Sequence, residues 1–548
     1  MSVKAELAAV PNPGPARWTR ALPVIFLLVL AAIVPLMILG SPDGHDFEYH
    51  VNGWIETSQQ WHAGVWYPRW ASLASYGYGD PRFTFYPPIS RLLGTVALVL
   101  LPANAAVGGL AFFMLALAGI SMFALARPFL PPAHAIAAAA FYAVNPYILL
   151  CVYQRSAYGE LLTNALCPLL LLCAVRLPEG IKVVAPLSLV FTLFWLSDLP
   201  AAVVVTYALT LLIVVLAVVH RSFSLLVRGA VAMLLGFALG AFFILPAAYE
   251  QRWVNITVAI SPDFRPETWE YTWTFDPEAE WFYVMISSLV YGTGALAVLA
   301  GLLSWRERRR GRALWWACVL LTVTSIFMML PDASGFIYTH LPKLEFVQFP
   351  FRWLLVLSGC MTILIAMAWG RSRVWGLGLT LAVLAFSGAF AIGWSAPWHP
   401  RAVADYQEKI RQENGYESDS AFLPPNVAPE AIHDARSLPN VQVVAAGASV
   451  QVSRWAPDRK SVQLQSSVPT QITFHVLNYP GWRATVNGKT VASTSDSLGR
   501  VVIAAPAGNA RVDLRFMRTP DHLLGMGISL IALVMLGWLR LRRYGSPR

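Results

Sequence analysis

Apolar runs about as long as a bilayer is thick recur along this chain from one end to the other, and they limit its fold more than any other feature. A crossing helix takes roughly 17–25 mainly apolar residues, because the hydrocarbon core is about 30 Å thick. Runs that meet or approach this length are 21–39, 104–126, 133–148, 160–175, 183–196, 201–219, 229–248, 283–303, 313–330, 353–369, 374–394 and 523–539. With 57% apolar residues, only 13% charged ones and a mean hydropathy of +0.55, the 548-residue chain is too oily for a soluble globular protein. The sequence therefore predicts a mainly α, polytopic membrane protein of about twelve crossings. Segment 89–101 is apolar but short and stops at Pro102, so it is expected to lie at the interface or dip into it.

Lysine and arginine concentrate in cytoplasmic loops of membrane proteins. Lys4, Arg17 and Arg20 put the start of the chain inside, and Arg540, Arg542 and Arg543 put the end inside, which requires an even number of crossings. Arg127, Arg176, Lys182, Arg221, Arg228, the cluster at 306–312, Arg371 and Arg373 all fall on the inner side of the same scheme. The net charge of +10 is thus spread through short inner loops, which argues against a nucleic-acid partner. The first run contains Pro23 and Pro35 and no small-residue cleavage signature follows it, so it reads as a retained helix and not a signal peptide. The five cysteines lie in or beside apolar runs without metal or redox spacing and read as small core residues.

The expected organisation is a disordered cytoplasmic leader (1–20), a helical membrane domain (21–396) with a large first outer loop (40–103), an extracytoplasmic antiparallel β-sandwich (397–519), and a final helix with a basic tail (520–548). Composition changes sharply after residue 395. A charged helical piece at 402–413 and a Pro-rich linker at 423–429 come first. Period-2 alternation then marks strands at 441–444, 449–454, 461–465, 471–476, 482–486, 501–504 and 510–516. Asn487-Gly488 is a hairpin signal, since both central residues of that turn need positive φ.

Chemistry is most concentrated in the first outer loop, where Asp43, His45, Asp46, Glu48 and His50 crowd together and Glu56, His62 and Arg69 follow. A carboxylate there can act as general base toward an acceptor hydroxyl, or these charges are simply solvated. The aromatic runs 66–70, 76–78 and 83–86, the last including Tyr86, serve either as interfacial anchors or as platforms for sugar rings. Arg155 and Glu160 flank the start of an apolar run. Arg155 either grips a lipid phosphate through its planar fork or pairs with Glu160 to pin two helix ends. Arg352, beside Gln348, is a second phosphate candidate or an arginine that snorkels to the interface, and Asp198 is expected to cap the next helix. Trp482 and Tyr479 meet an acceptor glycan, or Trp482 fills the sandwich core while the hairpin is scaffold.

These features resemble the GT-C superfamily of polytopic glycosyltransferases, in particular bacterial YfhO-like proteins and those labelled pyruvoyl-tetrahydropterin-synthase-related membrane proteins, a label that implies no pterin chemistry. The resemblance rests on the run from Gly44 to His50, Tyr76-Gly77-Tyr78-Gly79 with Phe85-Tyr86-Pro87-Pro88, Arg155 to Glu160, Val347 to Arg352, and Tyr479-Pro480-Gly481-Trp482 with Asn487-Gly488-Lys489, in that order along most of the chain. It implies transfer of a sugar, with inversion, from a polyprenyl-phosphate donor to a glycan, lipid or protein acceptor on the outer face of the bacterial cytoplasmic membrane. Asp46 would be the base, with Asp43 second. His45, Glu48, His50, Arg69, Tyr86, Arg155, Glu160, Gln348 and Arg352 are the candidate substrate contacts, Arg155 and Arg352 toward the donor phosphate. The turn Ser197-Asp198-Leu199-Pro200 departs from the His-Asn pair toward which relatives tend.

No cofactor is required on this reading. Asp43, Asp46, His45 and His50 offer oxygen and nitrogen ligands for a divalent metal, but their spacing matches no defined motif. A nucleotide donor is disfavoured because the inner loops are short and hold no Gly-rich phosphate loop. The alternatives are a non-catalytic transporter of lipid-linked glycan precursors, which calls for ionisable residues at mid-span, and an assembly factor whose β-domain binds a partner.

Overall fold

A computed structural model describes residues 16–271, 280–369 and 395–541. The expected span at 374–394 and the basic residues Lys4, Arg542 and Arg543 lie outside them. Eight helices are long and apolar enough to cross a membrane, among them Trp18–Leu39, Ala103–Ala126, Tyr158–Val175, Leu199–Val219, Pro350–Ala368 and Pro520–Trp538. The number rises to ten when two bent pairs are each taken as one span. Phe223–Leu239 turns by 75° into Ala241–Trp253, and Arg312–Met328 turns by 91° into Pro331–His340. Ile181–Trp195 is apolar but shorter, as is Pro88–Leu100, the segment expected at the interface. Mid-helix Pro23, Pro35 and Pro168 are tolerated inside these long apolar helices.

Contacts between distant segments gather the loops into two groups. At one end Arg127 stacks over Trp18, the Arg228 guanidinium donates to the Leu177 carbonyl, and Gly311 approaches Phe129 and Met367. That end carries the basic loops. The opposite end holds 40–102, 154–157, 196–198, 250–271, 341–353 and the whole of 395–519.

Two antiparallel sheets follow the membrane helices. Strands β1 (Val441–Val443), β2 (Ser449–Ala456), β3 (Arg459–Ser466), β4 (Thr470–Leu477), β5 (Trp482–Val486), β6 (Lys489–Val491), β7 (Thr494–Ser495), β8 (Arg500–Ala505) and β9 (Gly508–Phe516) pair in the orders β1-β4-β8-β7 and β2-β3-β9-β5-β6. Period-2 alternation decides the faces: Val462 and Leu464 of β3, Ile472, Phe474 and Val476 of β4, Val501 and Ile503 of β8, and Val512 and Leu514 of β9 enter one shared apolar cluster. Asn487 and Gly488 take φ of 49° and 80°, the turn their sequence demands. The short strands β6 and β7, and a two-residue ladder joining Ser41–Pro42 to Trp398–His399, carry too few residues to show a pattern in sequence.

The aromatic motifs of the loop 40–103 seat this β-domain. Trp70 meets Trp482 edge-on at 5.6 Å and Phe516 at 5.2 Å, Tyr78 stacks on His475 at 3.5 Å, and the Leu477 amide donates to the Tyr78 carbonyl. Trp482 is buried, in line with its core-filling alternative, and Tyr479 is buried as well, against Trp70 and Glu250. Trp70 and Tyr78 are also buried and present no free ring to a sugar, while Tyr76 lines a cavity against the β-domain.

Candidate functional site

A cavity of about 360 Å³ opens at the loop-rich end, walled by His45, Asp46, Tyr49, Tyr86, Glu160, Asp198, Gln348, Arg352 and Asp419, among others. Its groups come from six separate parts of the chain.

Asp46 occupies the N-cap position of helix Phe47–His62, yet its side chain makes no cap hydrogen bond. A capping carboxylate is ordinarily worth about 1 kcal/mol to its helix. Here the carboxylate is instead left half exposed, with one oxygen 3.6 Å from Arg155 Nη2. Backbone contacts fix its position. The Asp46 amide donates to the Arg155 carbonyl at 2.9 Å, and a Cβ on Gly44 would lie 2.6 Å from the Gln154 carbonyl oxygen. Only glycine lets the loop lie this close on the 154–156 turn, which itself needs positive φ at Ser156.

Arg155, Glu160 and Arg352 form one buried chain of charge, all less than 8% exposed. Arg155 Nη1 donates to Glu160 Oε2 at 2.5 Å, Arg352 Nε reaches the same oxygen at 3.5 Å, and Tyr147 donates to the other Glu160 oxygen. The pairing alternative for Arg155 is therefore the observed one. Arg352 does not snorkel: its Nη1 donates to the Val347 carbonyl at 2.6 Å and to Gln348 Oε1 at 2.9 Å. Its Nη2 makes no hydrogen bond among the described residues, which leaves a guanidinium edge free beside the cavity. Gln348 holds φ 62° and ψ −53° in a γ-turn closed by the Phe349 amide on the Val347 carbonyl at 2.7 Å. That conformation is rare and strained. It is held by the Gln348 amide, which donates to the Ala259 carbonyl at 2.9 Å.

Asp198 does cap the helix Leu199–Val219, accepting from the Ala201 amide at 2.8 Å, and its carboxylate also lines the cavity. Burial raises its carboxyl above the usual range, against the opposing pull of Arg352. Gly159 packs on this turn so closely that a Cβ would meet the Ser197 carbonyl oxygen at 2.8 Å. His45 sits edge-on to Phe282, and burial, then the nearby Arg155 charge, lower its pKa. His50 lies behind the wall with Nε2 3.4 Å from the Tyr86 hydroxyl, and burial drops its pKa to about 4, so it is a neutral ring at physiological pH. Burial likewise keeps the Tyr86 phenol protonated.

Five of the expected residues are not on the cavity wall: His50 and Arg155 lie behind it, and Asp43, Glu48 and Arg69 go elsewhere. Asp43 faces Tyr406 and His399, with its carboxylate 3.3 Å from the Tyr406 hydroxyl, because the residues before it pair with Trp398–His399. Glu48 points to the surface and pairs with Lys409 at 3.4 Å. Arg69 lies over the Phe516 ring and donates to the Met517 carbonyl, tying the loop to β9. The structure thus removes all three from the cavity wall, and separates Asp43 and His50 from Asp46 as would-be metal ligands. Sequence reasoning missed Tyr49, Asp419 and Phe422 as wall residues; Tyr49 lay within the marked run from Gly44 to His50, whereas nothing local marks Asp419 and Phe422, which arrive from the segment just before the Pro-rich linker.

A second cavity of about 400 Å³ separates helix Phe47–His62 from the β-domain, lined by Gln59, Gln60, Asn414, Arg436, Trp455 and Lys460, among others. Lys460 lies over the Trp455 ring and donates to the Ala456 carbonyl, and burial lowers its pKa to about 7.

No protein-family model matches the chain, and no curated protein matches it.

Proposed function

We propose that this protein is a GT-C-like glycosyltransferase that moves a sugar from a polyprenyl-phosphate donor to an acceptor hydroxyl at the outer face of the membrane. The observation that carries the reading is that Asp46 and Arg352 line one cavity, at the end of the bundle opposite the basic loops. Taken with the positive-inside rule, the gathering of Arg127, Arg176, Lys182, Arg221 and Arg228 at the far end supports inner loops there and an outward cavity. Twelve crossings, cytoplasmic termini and a β-sandwich held outside belong to this same reading.

In the reaction, Asp46 takes the proton from the acceptor hydroxyl as its oxygen bonds to the sugar anomeric carbon from the face opposite the phosphate. The bond from that carbon to the phosphate oxygen breaks, and its electron pair leaves with the polyprenyl phosphate. Arg352 offers its free edge to the phosphate oxygens, where a guanidinium is matched in charge and geometry. Arg155 acts through Asp46 as a positioning residue. Asp198 Oδ2 and the Tyr86 hydroxyl supply polar contacts to sugar hydroxyls. Glu160 lies in the first turn of its span and is neutralised by two arginines, so it does not furnish the mid-span charge a transporter would call for.

The test is to reconstitute the full chain in nanodiscs with a panel of hexose and pentose polyprenyl phosphates and measure release of polyprenyl phosphate. Release by the wild type and its loss in Asp46→Asn supports the reading. No turnover of any donor, together with polyprenyl-phosphate binding that is indifferent to Arg352→Ala, sinks it.

A further inference from the structure

We infer that Glu250, Asp521 and His522 form a structural site for one divalent cation of the Zn²⁺ class, which fastens the last membrane helix and the β-domain to the helical bundle. None of the three lines either cavity above. They meet where the bent helix Ala241–Trp253 ends, the helix Pro520–Trp538 begins and the β-domain loop at Tyr479 comes down.

The ligand atoms lie close together, and the two separations from the histidine have the length a metal site needs. One oxygen or nitrogen from each residue lies within 4.8 Å of the others, and all three residues are buried. His522 Nδ1 is 3.4 Å from Glu250 Oε1 and 3.4 Å from Asp521 Oδ2. Those separations exceed a charge-assisted hydrogen bond, about 2.7–2.9 Å. They match the edge of a tetrahedron whose metal bonds are about 2.0–2.1 Å long, roughly 3.3 Å.

The Asp521 carboxylate supplies a second, independent observation. It is 8% exposed, and neither oxygen has a hydrogen-bond partner. A buried carboxylate without donors is costly unless a cation balances it. The protein's own hydrogen bonds do not meet this need. Thr519 Oγ1 lies 2.6 Å from His522 Nδ1 and donates to Glu250 Oε1 at 2.8 Å, a relay that serves the histidine and the glutamate and bypasses Asp521. A divalent cation in place of the Nδ1 proton gives Asp521 its partner and balances two carboxylates against one neutral imidazole, and it takes over from the Thr519 hydroxyl as the partner of Nδ1, leaving that hydroxyl to donate to Glu250. Tyr479, which donates to Glu250 Oε2 at 2.5 Å, and Thr519 then hold the glutamate in orientation, the support that metal-bound carboxylates generally have. Because Tyr479 belongs to the β-domain, metal binding and domain seating are joined through one carboxylate.

The experiment loads the purified full chain with Zn²⁺, removes excess by desalting and counts metal by mass spectrometry. One equivalent per chain is expected for the wild type, and less than one tenth of that for Asp521→Asn and for His522→Gln. Chelation should make the junction near residue 519 protease-sensitive in the wild type and add nothing in Asp521→Asn. Should either variant fail to fold, Co²⁺ loading of the wild type decides, since a tetrahedral site gives intense visible absorption bands. Background metal in the wild type, full retention in both variants, or Co²⁺-loaded protein without those bands overturns the proposal.

Discussion

Asp46 and Arg155 touch twice: the aspartate amide donates to the arginine carbonyl at 2.9 Å, and the aspartate carboxylate lies 3.6 Å from Nη2 of the same arginine. The backbone bond places Asp46 and the guanidinium aims it, so the carboxylate is held by a residue buried in its own ion pair with Glu160. Asp46→Asn keeps the shape and removes the base. Turnover should fall by about 10²–10⁴-fold with the melting temperature unchanged. Asp43→Asn, whose carboxylate faces Tyr406, should leave turnover within about threefold, near the scatter expected of changes outside the reacting groups. Side-by-side kinetics of the two variants check this, and equal losses would count against Asp46 as base.

Glu160 is buried between two guanidinium groups, and removing Arg155, the nearer, leaves its charge only the 3.5 Å contact with Arg352. Arg155→Ala should cost about 3–5 kcal/mol, the range for breaking a buried pair from one side. The double change Arg155→Ala with Glu160→Gln should recover a large part of that loss, because the stranded carboxylate is then gone. A double-mutant cycle by denaturant unfolding in detergent measures the coupling. Additive losses would mean the pair is not what stabilises the junction.

Arg352 and Gln348 separate binding from stability. Arg352→Lys keeps the charge and loses the fork, so KM for the donor should rise about tenfold or more, with a smaller change in kcat. Gln348→Gly relieves a positive-φ backbone that costs about 1–3 kcal/mol, yet removes the amide that steers Arg352 Nη1. The variant should hold its melting temperature while KM rises. Donor titrations paired with thermal melts read both effects, and a lower melting temperature with normal KM would contradict the assignment.

Lys460 gives the β-domain a pH dependence. Its ammonium titrates near 7 in the folded chain against 10.5 when free, because burial disfavours the charge more than Asp458 favours it. Between those values the unfolded chain binds more protons, so stability climbs as pH rises from about 7 to about 10 and is flat below that window. Lys460→Met, which keeps the stem over Trp455 without the charge, should be more stable than wild type at pH 6. The advantage should vanish near pH 10. Thermal melts at the two pH values check the sign.

Much of the architecture could be read directly from composition. Apolar length marked the helices because a bilayer-long helix must be oily whatever surrounds it, and period-2 alternation located the longer strands because a half-buried strand shows one face to water. Asn487-Gly488 announced its turn because φ is a local property. The density of acids and imidazoles after the first span marked the cluster from Asp43 to His50 for the same kind of local reason. Which carboxylate of that cluster faces the cavity was not local at all. Asp46, Asp43 and Glu48 are chemically alike, and their fates were decided by Arg155, by Tyr406 and by Lys409, each brought up from another part of the chain.

The same holds for Asp198 and Asp419, and for the meeting of Glu250 with Asp521 and His522. A membrane-length apolar run is determined by the sequence itself, since partition into hydrocarbon depends on composition alone. The cavity, the arginine–glutamate chain and the buried trio exist only once distant helix ends pack, because ion pairing and ligand geometry depend on distances that no linear spacing encodes.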